Sequence, residues 1–379
     1  MFRLWKSAVA LLLVPLLMTG CWDIKHVQDI NYVAAIGIDY ADGKYHVYVQ
    51  MLDFSSVAKM ETGKPTAPVP VWIGKGSGDN PLHALDDLYQ TSQLRIFYGQ
   101  VNAVVVSESL IKKGIDDFEE MLRRHFELRY TPWVFGSSMP IDQLFAVTAF
   151  FNLSPLITLL HQPRESYKQN SVIAPISMRE FYASYREPGK TTQLPSLTIT
   201  DQYWKRDKKA QDVLQISGIY VLQNKKFKGW IEKNRIPGLR WVDPRTRRAP
   251  LIIQAEGKAQ VGIALESPKV EITFHTTNDL VTYGIEVMFE GQILYNTKSY
   301  PEAMIEQEAA ERVRMEIVQT YQEGLKDKAD LLQLEHALYR KKNREWKKLH
   351  ERNGITLKPD SLKDVRVTVK LNNSGKIKN

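Results

Sequence analysis

The chain has 379 residues but only one cysteine, Cys21. A single thiol excludes an internal disulfide, so folded domains of this chain must be stabilised by their apolar cores. Long apolar runs are also lacking, because a membrane-spanning helix needs about 17–25 apolar residues and no segment after Cys21 provides them. The best one, at 144–160, is interrupted by Asn152, Ser154 and Pro155. We therefore expect the body of the protein to be soluble.

Catalytic and metal-binding patterns are lacking as well. The eight histidines follow no His-x-x-x-His or His-Glu-x-x-His spacing, so we expect no metal site. Ser137 and Ser138 lie outside any nucleophile-elbow sequence. The acidic residues at 116–117 and 119–120 are most simply a solvated helix face, with a carboxylate pair in a cleft as the alternative. The sequence thus predicts no enzyme and no cofactor.

One glycine-rich segment precedes a predicted helix start at Asn80-Pro81, with the sequence Gly74-Lys75-Gly76-Ser77-Gly78-Asp79. Such a position is typical of a phosphate-binding loop. The segment lacks the Gly-Lys-Ser/Thr ending and the spacing of nucleotide-binding loops. We interpret it as a flexible turn, with anion binding as the alternative.

What the chain does contain is a distinctive start. A short basic head precedes an apolar run of 11 residues, Ala8–Met18, and the small pair Thr19-Gly20 stands directly before Cys21. This order is typical of a secretory signal peptide. A cysteine directly after the small pair predicts a lipoprotein, in which diacylglyceryl is attached to the thiol and residues 1–20 are removed. The alternatives are a plain signal peptide and a short anchor that is never cut.

The charge balance fits a membrane surface. Removing Arg3 and Lys6 with the signal lowers the formal net charge from +8 to +6. A moderate basic excess suits a protein near anionic lipid, where each well-placed Lys or Arg contributes about 1 kcal/mol. Nucleic acid is not an expected partner, because export removes the protein from it. The basic groups at 245–248 and 340–348 are either solvated surfaces or contacts to lipid headgroups or an acidic partner.

The mature length of about 360 residues predicts more than one domain. We divide the chain into the signal 1–20, an N-terminal α+β region 21–204, and a C-terminal α+β domain 205–379. The boundary is placed in the charged connector Lys205–Lys209.

In the first half, the apolar run Val33–Asp39, a turn at Ala41-Asp42-Gly43 and the strand-forming Tyr45–Val49 predict a hairpin. Residues 55–80 read mostly as an exposed loop. The run Val101–Val106 predicts a strand that is buried on both faces.

The second half predicts an antiparallel meander, two helices and a closing strand. The first helix is expected at Ala303–Leu325, the second over 331–349, and the strand over 365–371. The fold class is therefore α+β, with mostly antiparallel or mixed sheets and helices packed on one face. Six short segments form the predicted meander: Ile216–Leu222, Leu251–Ala255, Lys258–Leu265, Val270–His275, Val281–Met288 and Gln292–Tyr295.

An ordered series of short motifs runs along almost the whole mature chain. In the first half the motifs are Gly20-Cys21-Trp22-Asp23, Val33–Asp39, Leu94–Gly99, Val104–Glu108, and Leu122–Arg124 with Glu127–Arg129. In the second half they are Ser217–Ile219, Lys228–Trp230, Gly238–Trp241, Ala329–Leu332, Leu338–Arg340 and Trp346. The series resembles the C subunit of spore germinant receptors, the Ger(x)C lipoproteins. Two positions depart from that family's pattern, His26 where Glu is usual and Gln100 where His is common.

The resemblance implies a lipid anchor at Cys21 on the outer face of the cytoplasmic membrane, which in spores is the inner membrane. It also implies membrane-embedded A and B subunits as partners and a response to small nutrients that initiates germination. The family's three α+β domains in a row would divide the region 21–204 into two subdomains. A lipid-anchored solute-binding protein of a transporter is the alternative, and would have two lobes of repeated β-α units. An exported cell-wall hydrolase is a third, and would need a catalytic pair.

Replacing Cys21 with Ala should abolish the incorporation of labelled fatty acid, because the thiol that accepts the lipid is lost. The protein should then be released from the membrane or mislocalised, which cell fractionation would detect. Continued labelling of the Cys21→Ala chain would contradict the lipoprotein prediction.

Overall fold

A computed structural model of the chain describes residues 30–52, 69–124, 127–255, 259–277, 280–352 and 354–372. The predicted signal, Cys21, His26 and residues 55–68 of the predicted loop lie outside the described residues. Within them the chain forms a large sheet of ten strands, a small sheet of four strands, and a short two-stranded hairpin.

The strands of the large sheet are β1 (Ile30–Ala41), β2 (Lys44–Leu52), β3 (Val71–Gly78), β4 (Arg95–Phe97), β5 (Ala103–Ser107), β6 (Trp133–Ser137), β7 (Ile176–Ser177), β8 (Thr191–Thr200), β11 (Val213–Gln223) and β12 (Lys226–Glu232). The two-stranded hairpin is β9 (Lys205–Arg206) with β10 (Lys209–Ala210). The small sheet contains β13 (Ala249–Ala255), β14 (Ala259–Thr277), β15 (Leu280–Tyr295) and β16 (Leu362–Leu371).

The helices are α1 (Pro81–Tyr89), α2 (Glu108–Lys113), α3 (Asp116–Arg124), α4 (Ile141–Ala146), α5 (Pro163–Gln169), α6 (Met178–Arg186), α7 (Leu239–Val242), α8 (Glu302–Lys326), α9 (Leu334–Lys341) and α10 (Asn343–Arg352). Short 3-10 turns occur at Phe150–Asn152, Pro155–Ile157 and Lys233–Arg235.

The large sheet has a parallel centre and antiparallel edges. Its order is β12-β11-β8-β6-β5-β1-β2-β3, and β1, β5, β6 and β8 run in the same direction. Every residue of β5 is buried, as predicted for a strand covered on both faces. Helices α1, α2, α3 and α6 pack on one face and α4 on the other. The α+β class with mixed sheets is confirmed, but the helices of this sheet cover both faces because its central strands are apolar on both.

Local signals in the first half predicted two elements correctly. The β1–β2 hairpin turns at Asp42 (φ 54°) and Gly43 (φ 76°), the positive values that a two-residue hairpin turn requires. Helix α1 begins where Asn80-Pro81 predicted, and the Asn80 side-chain oxygen accepts a hydrogen bond from the His83 amide at 2.9 Å.

The glycine-rich segment is the edge strand β3, so its interpretation as a flexible turn was wrong. Gly74, Gly76 and Gly78 alternate along β3 and all face α1. A Cβ atom on Gly76 would overlap the Ala84 carbonyl oxygen and stand 2.8 Å from the Leu88 nitrogen. The glycines are spaced by two because α1 lies directly on the strand backbone, at the period with which strand residues return to one face.

The charged connector at 205–209 is the β9–β10 hairpin, which projects between two neighbouring strands of one sheet. Strands β8 and β11 pair antiparallel on either side of it. The first segment of the predicted meander, 216–222, therefore belongs to the large sheet, because its apolar residues complete the core of that sheet. The domain boundary at 204/205 and the two subdomains of 21–204 stay predictions, and the described strands from β1 to β12 form a single sheet.

The small sheet is a meander of three strands, β13, β14 and β15, closed by β16. Two of these strands each cover two of the predicted segments. Strand β14 continues through Pro268 because a register shift between Glu266 and Lys269 accommodates Ser267 (φ 46°) and the proline. The closing strand β16 is confirmed and pairs parallel with β15.

Helices cover one face of the small sheet. Helix α8 confirms the predicted first helix. The predicted second helix is two helices, α9 and α10, because the backbone of Lys342 leaves the helical conformation between them. This break turns α10 back, and Trp346 Nε1 then donates to Glu335 Oε1 at 3.1 Å.

Gly76→Ala should lower the free energy of unfolding by about 1–3 kcal/mol, because the added methyl group overlaps backbone atoms of α1. Gly262→Ala is the matched control, since a Cβ there would meet Tyr295 Cβ at an ordinary 3.4 Å. Its effect should stay within about 0.5 kcal/mol. Denaturant unfolding of both variants measures the difference, and equal destabilisation would contradict the contact between β3 and α1.

Candidate functional site

The acidic residues at 116–120 are bound to partners instead of forming a carboxylate pair in a cleft. Glu119 is buried and its carboxylate pairs with Arg186, so the solvated-face interpretation is wrong for this residue. Asp117 accepts hydrogen bonds from the Tyr45 hydroxyl and the Lys113 ammonium, and the bond from Tyr45 lowers the pKa of Asp117. A carboxyl with a lowered pKa is poorly suited to act as a general acid near neutral pH.

The remaining candidates for chemistry also have structural partners. The Ser137 hydroxyl is buried and donates to the Leu197 carbonyl oxygen at 2.7 Å. Among the described residues, no group of three or more His, Cys, Asp and Glu side chains could hold a metal ion.

A buried histidine was missed by sequence reasoning. Burial lowers the pKa of His161 to about 3, so its ring is neutral and donates from one nitrogen only. Its Nε2 lies 2.9 Å from Gln50 Oε1, while Gln50 Nε2 donates to the Phe145 carbonyl at 2.8 Å. The other ring nitrogen, Nδ1, faces Asn102 Oδ1, so each ring nitrogen lies against the side-chain amide oxygen of a different residue. The network ties the segment after α4 to the large sheet.

The basic group at 245–248 is largely engaged within the protein. The Arg245 guanidinium donates to Asp243 at 2.7 Å and to the Pro175 carbonyl at 3.3 Å. The Arg248 guanidinium donates to the Gln169 carbonyl at 3.1 Å. These contacts hold the loop before β13 against the segment that follows α5.

The basic group at 340–348 is divided between internal contacts and solvent. Arg340 lies 3.3 Å from the Glu187 carboxylate, and Lys341 Nζ donates to the Ile272 carbonyl at 2.7 Å. Lys342 Nζ lies 3.3 Å from the Glu345 carboxylate. The other basic side chains of the group, on α10, are exposed: Arg344, Lys347 and Lys348.

The segment Ala329–Glu335, which we call the junction segment, contacts both sheets. Ala329 and Leu331 pack with Ile219 and other apolar residues of β11 and β12 in the large sheet. Leu332 and Leu334 pack into the core between the small sheet and its helices. One short stretch of chain is therefore part of two hydrophobic cores.

Two glutamines attach the junction segment to β8. Gln333 accepts from the Thr191 backbone amide at 3.1 Å and donates to the Thr191 carbonyl at 2.7 Å, so its amide pairs with the strand as a backbone unit would. Gln193 Nε2 donates to the Leu331 carbonyl at 2.7 Å. On the α9 side, His336 Nε2 lies 3.1 Å from Glu187, the residue that also contacts Arg340.

Two carboxyl groups are buried at the same place. Asp330 Oδ2 accepts a hydrogen bond from the Glu335 amide at 2.7 Å, and burial raises the pKa of Asp330 to about 7. Burial also raises the pKa of Glu335, whose carboxyl contacts Trp346 and Gln223. Two carboxyl groups without a basic partner in contact are held protonated more readily than in water.

A second contact between the core of the large sheet and the core of the small sheet lies where α7 meets α8. The Gly238 amide donates to Thr320 Oγ1 at 2.8 Å, and a Cβ on Gly238 would stand 2.7 Å from Ile317 Cα. The buried Glu316 carboxylate accepts from Trp241 Nε1 at 2.7 Å and from Arg240 at 3.2 Å. The close approach of α7 to α8 thus requires glycine at 238. Arg240 and Trp241 then supply the hydrogen bonds to the buried Glu316 carboxylate.

The two contacts bring together the motifs of the second half. Residues 238–241, 329–332, 338–340 and 346 all take part, and Gly229 faces the Asp327 carboxyl group. The motifs could be recognised in the sequence by their order. Their positions in the fold could not, because these depend on contacts between distant residues, such as Thr191 with Gln333, 142 residues apart. The arrangement is suited to hold two halves in one geometry.

A small cavity of about 230 Å³ opens between α5, the segment that follows it, and strands β8 and β11. It is mainly apolar, with Phe135, Leu159 and Leu214 among its walls and Gln215 and Lys233 among its polar groups. Its volume is below the roughly 300–1,000 Å³ of drug-sized ligand sites. None of the described helices has the length and apolar character to cross a membrane.

Comparison with known proteins gives a consistent result across the chain. Residues 23–199 match the family model for the spore germination protein N-terminal domain, and residues 217–375 match the one for the spore germination B3/GerAC-like C-terminal region. Spore germination protein KC of Bacillus subtilis (strain 168) is 22% identical over 398 residues, covering 99% of this chain and 97% of that protein. The crystal structure of the GerBC protein has a TM-score of 0.53 at 13% identity and covers 89% of this chain and 97% of that chain, which shows a shared fold.

The buried carboxyl of Asp330 should make stability fall as pH rises. The pKa of Asp330 is about 7 in the folded protein, above the ordinary value of 3.8 that applies to the unfolded chain. Between these two pH values the folded state therefore binds a proton that the unfolded state does not. Its stabilisation is complete below about pH 4 and is lost as pH rises through about 7, by at most about 4 kcal/mol. The phenol groups of Tyr283 and Tyr321 face Asp330. Burial raises the pKa of each phenol, so both stay neutral between pH 4 and pH 8.

Asp330→Asn cannot titrate, so relative to the parent it should be more stable at pH 8 than at pH 5. Denaturant unfolding at both pH values measures this difference. Asp79→Asn, at an exposed position, is the control and should follow the parent. Parallel stability profiles for the parent and Asp330→Asn would show that Asp330 does not hold a proton in the folded state.

Proposed function

The chain belongs to the Ger(x)C family of spore germination proteins, and on this premise we propose that it is the lipid-anchored C subunit of a germinant receptor. The observation that carries the proposal is the run of family matches from residue 23 to residue 375. The first match begins two residues after Cys21, where the lipoprotein signal places the mature start. A signal that ends where the family domain begins supports a secreted protein held by lipid at its amino terminus.

In this proposal the protein lies on the outer face of the cytoplasmic membrane, which in the spore is the inner membrane. Its partners are the membrane-embedded A and B subunits, and the complex responds to nutrients by initiating germination. The support comes from the family and from the lipoprotein signal, in which the apolar run at 8–18 and the pair Thr19-Gly20 precede Cys21.

We propose a role in binding and not in catalysis. The residues that could have formed a catalytic group, such as Asp117, Glu119 and Ser137, are engaged in contacts that stabilise the fold. The junction segment packs into both cores, so it holds the large sheet and the small sheet in one arrangement, as suits a protein that acts by binding partners. A solute-binding protein is disfavoured, because the small sheet is a meander with one closing strand and has no repeated β-α units.

Purification of a tagged chain from detergent-solubilised spore membranes tests the proposal. Two membrane-embedded subunits should copurify, and spores without the gene should lose their response to at least one nutrient. Restoring the wild-type gene should restore that response, while the Cys21→Ala gene should restore it less, because the subunit is no longer held at the membrane.

Normal germination of the deletion strain on every nutrient, or purification of the chain without membrane-embedded partners, would contradict the proposal. Nutrient binding by the mature chain alone separates the alternative. Tight binding of one nutrient by residues 21–379 without other subunits would favour a solute-binding protein.

A further inference from the structure

Three neighbouring aromatic side chains form an exposed surface that the contacts of the fold leave uncovered. These residues, which we call the aromatic patch, are Phe150, Phe151 and Trp204, and the exposed Tyr203 precedes Trp204 in the chain. The Phe150 ring lies 4.9 Å from the Trp204 ring and 6.2 Å from the Phe151 ring, so two distant segments build one surface. Phe151 is 84% exposed and Trp204 is 55% exposed. An apolar surface of this kind marks a site of interaction.

The backbone at Phe151 is as unusual as its exposure. Phe151 and Asn152 both have φ of 59°, in the left-handed region that bulky side chains rarely adopt. Asparagine tolerates this conformation, but phenylalanine has no local reason to be there. A strained backbone that presents a large apolar side chain to solvent gains nothing for the stability of the fold, and such strain is typical of functional positions.

A basic hairpin continues directly from the aromatic patch. Strands β9 and β10 follow Trp204, and the five exposed residues 205–209 contain four basic side chains and Asp207, a net charge of +3. With the flanking Asp201 and Asp212, the whole excursion still carries +1. The basic side chains are therefore concentrated at the tip of the hairpin, next to the aromatic rings.

We propose that the aromatic patch and the basic hairpin together bind the surface of an anionic lipid bilayer. Tryptophan, tyrosine and phenylalanine enter the boundary between headgroups and acyl chains, while Lys and Arg contact the phosphates outside it. The net positive tip complements the negative surface of the membrane. A stable protein interface takes about 20–30 residues on each side, far more than this patch offers, so lipid is the better fit.

Binding to vesicles tests the proposal with a chain that has no lipid of its own. The mature chain 21–379 with Cys21→Ser should cosediment with vesicles that contain phosphatidylglycerol and only weakly with pure phosphatidylcholine. Phe151→Gly and Trp204→Ser should each weaken this binding by about tenfold or more, because an inserted aromatic ring is lost. Lys205→Glu with Lys209→Glu should weaken it similarly, and added salt should weaken the binding of the parent.

Phe151→Gly also separates function from folding. Glycine relieves the left-handed backbone, so this variant should be at least as stable as the parent while its membrane binding falls. Two matched controls should bind as the parent does. One is Trp72→Ser, which removes a 67% exposed aromatic side chain from the edge strand β3. The other is Lys347→Glu with Lys348→Glu, which reverses two exposed charges on α10.

Three results would overturn the proposal. The parent chain could fail to bind anionic vesicles, the control variants could lose as much binding as the patch variants, or binding could require the membrane-embedded partner subunits in the vesicle. The last result would assign the patch to a protein contact. Since the test chain lacks the Cys21 thiol, its failure leaves the lipid anchor and the receptor role unaffected.

Discussion

The arrangement of the whole molecule depends on one constraint, that the junction segment must pack into two cores at once. Ala329 and Leu331 complete the apolar surface of the large sheet, and Leu332 and Leu334 complete that of the small one. Because these side chains lie within six residues of one segment, separating the two sheets would expose apolar surface of both cores, at a cost of about 25 cal/mol per Å². The hydrogen bonds of Gln333 with the Thr191 backbone fix the position of the junction segment relative to β8.

Elements that are encoded by neighbouring residues could be predicted from the sequence. The hairpin of β1 and β2, the start of α1 at Asn80, helix α8 and strand β16 each depend on a turn, a cap or an apolar period within about twenty-five residues. The glycines of β3 were misread because their spacing has two causes, flexibility or close approach, and only the position of α1 decides between them. The continuation of β14 through Pro268 was missed because a register shift is a property of paired strands.

The candidate site divides in the same way. The lipidation of Cys21 is inferred from a local pattern and stays a prediction, because Cys21 lies outside the described residues. The raised pKa of Asp330 could not be predicted, since it results from burial beside Glu335 of α9, Tyr283 of β15 and Tyr321 of α8, which are distant in the sequence or hidden by the fold. The motif that contains it was visible in the sequence, but its physical role depends on where it packs. No sequence pattern distinguishes Phe151, because its unusual features are a positive backbone φ angle and an exposed side chain, which only the structure shows.

The two proposed membrane contacts together restrict how the protein lies on the membrane. Ile38, Val106, Gly136 and Ser196 are in one row of the parallel strands. The chain enters β1 eight residues before that row, and β8 leads to the basic hairpin four residues after it. At about 3.3 Å per residue, these two points are about 40 Å apart along the strands.

The nine residue steps from Cys21 to Ile30 can span at most about 32 Å. A lipid at Cys21 and the aromatic patch are therefore joined to opposite ends of the central strands. Both contacts reach one bilayer more easily when the strands of the large sheet are inclined toward the membrane plane than when they stand upright on it.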